Sequence, residues 1–153
     1  MLGVKYYGDY YNLQGNIITA QLSDSMVQQL EIQADYYPAG NLNIYGNSCF
    51  SLQFQSGKQQ INWKQVLGFK MSKSFWLEAN ATIGKFNNRF ENEAYYVYNA
   101  VDPNMYKFGI SGYWYPSKHL QVQLGATFEK RTLLNTDFIF NQQSINGGIS
   151  WKF

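Results

Sequence analysis

The side chains of this sequence that could do chemistry are one imidazole, one thiol and a thin scatter of carboxylates and amines. His119 follows the turn-like "YPSK". A catalytic histidine needs a nucleophile or carboxylate held within reach, and nothing beside it in sequence supplies one. It therefore reads as a solvated turn residue, and no catalytic residue and no enzyme activity are expected. Cys49 is the only cysteine, which excludes an intrachain disulfide and any CxxC site and leaves it as a small filler. No glycine-rich phosphate loop and no HExxH-type motif is present, so neither a cofactor nor a metal is expected. Two groups of charges remain. Glu31, Lys64, Lys70, Glu78, Lys107 and Glu129 stand singly among Gln, Asn, Ser and Thr, where they could contact an ion or small solute or pair with one another. The stretch 87–103, "NNRFENEAYYVYNAVDP", gathers Arg89, Glu91, Glu93 and Tyr96. Carboxylates beside tyrosines could hold a sugar or a cation; the competing reading is that "EAYYVYNA" is strand that simply continues.

The elements that must position these residues are strands. In "NLNIYGNSCFSLQFQ", Leu42, Ile44, Phe50, Leu52 and Phe54 share one parity, whereas Asn41, Asn43, Asn47, Cys49, Ser51 and Gln53 share the other. "HLQVQLGATFEK" and "INWKQVLGFKMS" repeat the pattern, and helical spacing is not sustained anywhere. Period two means one apolar and one polar face. With turns read from Gly, Pro, Asn, Asp and Ser, strands are predicted near 3–12, 16–23, 26–37, 41–55, 60–72, 74–86, 104–115, 118–130 and 141–153. Each is around the roughly 9 to 11 residues, or more, that cross a bilayer when tilted. The connections are expected to alternate between tight ("LQG", "PAG", "SKS", "PSK") and mostly longer ("SGKQ", 87–103, "TLLNTDFIF"), with "SDS" the exception.

Composition narrows the partners. Charged residues make up 14% of the 153 and aromatics 18%, thirteen of them Tyr. A soluble surface carries roughly 25 to 35% Lys, Arg, Glu and Asp, and the polar faces here are built from Gln, Asn and Ser instead. The net charge of +2 comes from scattered Lys and Arg, so no nucleic-acid partner is implied. No run approaches the roughly 18 apolar residues of a membrane helix. "MLGVKYYGDYY" lacks the charged and apolar regions of a signal peptide, so an exported chain would carry its targeting segment outside this sequence.

Two features give the address. "YYPAGNLNIYG" and "YWYPSKHLQVQLG" share an aromatic pair, a Pro turn and an alternating restart, and near that level Tyr36, Phe75, Trp114, Trp151 and Phe153 collect like the aromatic belt of a membrane interface. The last strand, ending "INGGISWKF", alternates Ile145, Ile149, Trp151 and Phe153 with polar residues. In these respects the chain resembles Gram-negative outer-membrane β-barrels, either a small complete one or the C-terminal portion of a larger one. The resemblance implies an all-β, antiparallel up-and-down transmembrane barrel of about eight to ten strands, with 1–153 as a single domain. It implies that the lipid bilayer meets the apolar face, and that barrel-assembly machinery reads Ile145, Ile149, Trp151 and Phe153. It also places the six scattered charges in the lumen and the protein in the bacterial outer membrane. Nine strands counted back from a periplasmic C-terminus start the first outside the cell, whereas single-chain bacterial barrels have an even number. Either upstream strands are missing, or residues before about Asn16 do not span and eight remain. The function expected is a pore, transport or surface-scaffold component. The alternatives are a soluble, lipocalin-like ligand-binding barrel and an outer-membrane enzyme, for which His119 lacks a partner.

Overall fold

A computed structural model describes residues 1–22, 25–91, 96–134 and 136–152. Nine strands follow one another: β1 (Leu2–Tyr7), β2 (Tyr11–Leu22), β3 (Ser25–Tyr36), β4 (Ile44–Gln55), β5 (Lys58–Lys70), β6 (Phe75–Glu91), β7 (Tyr96–Ser117), β8 (Leu120–Thr132) and β9 (Ile139–Trp151). They form one antiparallel sheet in sequence order, an up-and-down meander. The described pairings leave one edge of β1 and one edge of β9 without a strand. Among the described residues no helix is long and apolar enough to cross a membrane, which says nothing of a crossing by strands.

Alternation gives the sheet two chemically different faces, and register lines them up across strands. One row runs Cys49, Lys64, Thr82, Lys107, Glu129, Gln142 from β4 to β9. The next row on that face runs Asn16, Glu31, Ser51, Asn62. The sheet wraps around this inner face. Among the described residues its buried polar side chains outnumber the buried apolar ones, eleven to five. The opposite, outer face carries rows such as Ile17, Leu30, Leu52, Ile61. It leaves Leu124 65% and Ile145 82% exposed.

Three connections differ from the sequence reading. "LQG" is not a turn: Leu13, Gln14 and Gly15 pair with Ala34, Gln33 and Ile32, and the reversal falls at 8–10, where the Gly8 N–H donates to the Tyr11 carbonyl at 2.8 Å. A side chain at Gly15 would meet open space, so that glycine marks no reversal. Loop length does not alternate either. The "SGKQ" connection closes in two residues, Ser56 and Gly57, both at positive φ (49° and 74°), the geometry whose twist matches a tight hairpin. On the opposite end, 37–43 is the longer connection. Finally, the strands predicted to stop at 86 and restart at 104 extend into 87–103, the described residues following the continued-strand reading of that stretch: β6 continues to Glu91, β7 is strand from Tyr96, and the two pair through Asn88–Asn99 and Phe90–Val97.

Candidate functional site

The continued hairpin builds the site, and one glycine allows it. β6 is paired with β7 from Phe75 to Glu91, but with β5 only up to Ile83 opposite Trp63. Gly84 has φ +117°, and a side chain there would run into the Ile61 carbonyl oxygen, so only glycine permits so close a passage. Register shifts follow between Ile83 and Asn88. The strand then turns over the inner face: Gln60 Nε2 donates to Asn87 Oδ1 at 2.9 Å and Lys64 pairs with Glu91 at 3.0 Å, inner positions of β5 on either side of Asn62 meeting two points of the hairpin. Having left β5, the backbone edge of β6 needs new partners. Gln29 of β3 supplies them, accepting from the Phe90 N–H at 3.1 Å and donating to the Phe90 carbonyl at 3.0 Å. Phe90 packs with Ile18 and Val27.

Beneath the hairpin lies a cavity of about 570 Å³ lined by inner-face residues of β3, β4, β5 and β6. Its carboxylates are held by neutral donors or a lysine. Glu31 accepts from Asn16 Nδ2 at 3.3 Å and Gln29 Nε2 at 2.9 Å. Asp35 accepts from Gln33 at 3.1 Å and Asn47 at 2.6 Å. The Tyr45 hydroxyl donates to Glu78 at 2.9 Å. This bond crosses from β4 to β6 because Gly68 of β5 leaves room for the Tyr45 ring. Arg89 is 1% exposed, and its Nη2 donates to Cys49 Sγ at 3.6 Å. Its Nε and Nη1 have no partner among the described residues, nor do the amides of buried Gln53 and Asn62 on the neighbouring inner positions. Buried polar atoms of this kind mark a place for water or a ligand.

The sequence-derived site residues therefore divide. Glu31, Lys64, Glu78, Arg89 and Glu91 meet at the cavity. Lys107 and Glu129 form a second group on β7 and β8, bridged at 3.1 Å, with Arg131 also on Glu129 through Nε at 2.8 Å. Lys70 lies apart, its amine 4.8 Å from the Trp76 ring centre. Ile145, Ile149 and Trp151 lie exposed on the outer face of β9. Phe153 and Glu93 are outside the described residues; Tyr96 opens β7, and its side chain is outside them too. His119 is exposed at the β7–β8 turn, its Nδ1 3.1 Å from the Lys152 carbonyl. Sequence reading missed the docking role of Gln29 and the apolar seat for Phe90. The available signal was "NIIT" in β2, where apolar Ile18 occupies an inner position that alternation assigns to polar residues.

Comparison with known proteins finds no matching family model, no similar curated protein and no similar solved structure.

Proposed function

We propose that the chain is an integral β-barrel component of a bacterial outer membrane, with its outer face in lipid and its polar inner face lining a lumen that passes or holds small solutes. The observation that carries this reading is the inverted distribution: Gln14, Asn16, Glu31, Gln53, Asn62 and Arg89 are buried, while Ile17, Ile32, Phe50, Ile61, Leu124 and Ile145 are exposed. A soluble ligand-binding barrel needs the opposite, because water favours charged surfaces and apolar interiors. Strands of 12 and 13 residues such as β3, β4, β5 and β8 are also long enough to cross the hydrocarbon when tilted. Hydrocarbon demands that the edges of β1 and β9 be met, by each other or by further strands, since unpaired backbone groups are costly there. A surface-scaffold role in the same membrane shares this architecture, and bilayer conductance separates the two.

The direct test labels each face. After Cys49→Ser, a fluorophore is placed at Leu124→Cys or Gln123→Cys in protein reconstituted with bromine-bearing lipids. Quenching at position 124 and not at 123 is expected, together with a mobility shift on boiling in detergent gels. Equal quenching at both positions, or none at either, would remove the lipid-facing assignment.

A further inference from the structure

We infer that the cavity beneath the β6–β7 hairpin binds a small zwitterionic solute, its anionic group on Arg89 and its cationic group between Asp35 and Glu78. Arg89 is the starting point. It lines the cavity with 1% of its surface exposed, and two of its guanidinium nitrogens lack acceptors among the described residues. The neighbouring carboxylates are already engaged: Glu31 by Asn16 and Gln29, Glu91 by Lys64. A buried cation with free donors is costly, and an incoming carboxylate or phosphate would relieve it.

The other end of the cavity has the reverse need. Asp35 and Glu78 are fixed by neutral donors, and neither has an ion-pair partner among the described residues. Across the whole lining, four carboxylates face Lys64 and Arg89, a formal charge of 2 − 4 = −2. A simple anion would meet net repulsion, and a simple cation would leave Arg89 unsatisfied. A molecule with both charges answers both ends.

Strand geometry sets the spacing. Cys49, in contact with Arg89, Asn47, in contact with Asp35, and Tyr45, in contact with Glu78, are successive inner positions of β4. Their levels lie about 7 and about 13 Å from that of Cys49. Side chains reach into the gap from both ends, so the ligand's charges stand roughly 5 to 10 Å apart. A free α-amino acid is too short; an ω-amino acid or a short peptide fits. The volume of about 570 Å³ is of the size that takes small molecules.

The site stands whatever covers the outer face, so full-length protein in detergent micelles serves for the test. Equilibrium dialysis would compare 6-aminohexanoate with two blocked forms, 6-aminohexanamide, which keeps only the cation, and N-acetyl-6-aminohexanoate, which keeps only the anion. Saturable binding of the zwitterion at least about tenfold tighter than either blocked form is expected. Arg89→Gln should reduce affinity for the zwitterion to that of the amide, and Asp35→Asn should weaken it while leaving the N-acetyl form unaffected. Should Arg89→Gln fail to fold, the ligand series and Asp35→Asn, at a half-buried position, decide the matter. Equal binding of the amide would show a plain cation site, equal binding of the N-acetyl form a plain anion site, and no binding of any of the three an empty polar cavity. Each overturns the inference.

Discussion

Gly68 matters for what it lacks. The ring of Tyr45 fills the space where a side chain would stand, and only so can its hydroxyl reach Glu78 at 2.9 Å across β5. Gly68→Val is expected to displace the ring and cost roughly 1 to 3 kcal/mol, with Tyr45→Phe, which removes the bond alone, costing about 1 kcal/mol; urea unfolding measures both. A Gly68→Val protein as stable as wild type would show that the ring is held elsewhere. On the proposed membrane reading, outer-face residues answer to a different medium. In vesicles, Leu124→Arg should lose about 2 to 4 kcal/mol and Gln123→Arg far less, and equal losses would contradict the lipid contact. Parity in the sequence was enough to sort such residues by face, because a strand offers two directions and no others. Which charges meet was not legible: Lys64 could be read as an inner-face amine, but its bond to Glu91 depends on a hairpin folding back over it.

At the scale of elements, all nine strands could be located from alternation and turn residues, and β3, β4, β5, β8 and β9 lie within three positions of the reading at both ends. β1 is shortened to Leu2–Tyr7 and β2 lengthened to Tyr11–Leu22 because the reversal lies at 8–10, and β6 and β7 run longer than read, to Glu91 and from Tyr96. Strand continuation was one of the two readings of 87–103 and is the one the described residues follow; the sequence left it open because Gly84 and the register shifts after Ile83 interrupt the two-residue period, and an interrupted period looks like a loop. Gly84→Val tests the consequence. A valine at φ +117° is strained and would strike the Ile61 carbonyl, so the hairpin should leave the inner face. Cys49, 4% exposed and in contact with Arg89, reports the event. Its reaction with a small thiol reagent should speed up at least about tenfold in Gly84→Val, as local opening becomes frequent. An unchanged rate would mean that the hairpin does not govern access.

For the whole molecule, the apolar outer face and the open edge of β9 belong together. Removing 151–153 takes Trp151 from the outer face and shortens the strand that covers β8. Loss from the membrane fraction and degradation are the expected results, scored by fractionation and immunoblot; normal membrane levels would count against the need for that segment. The inside-out chemistry was legible in the sequence as a shortage of charge and a surplus of Gln, Asn and Tyr, since those amounts follow from what each face must touch. The wrapped hairpin was not, because it depends on one side chain meeting a backbone far along the chain. That meeting also separates two clocks. Ladder hydrogen bonds join sequence neighbours and open only when a hairpin of the meander opens. The Phe90 amide is held instead by Gln29, 61 positions away. Its proton should therefore exchange with deuterated solvent at the rate at which the hairpin undocks, and in Gln29→Ala that one amide should lose protection while the ladders on either side keep theirs.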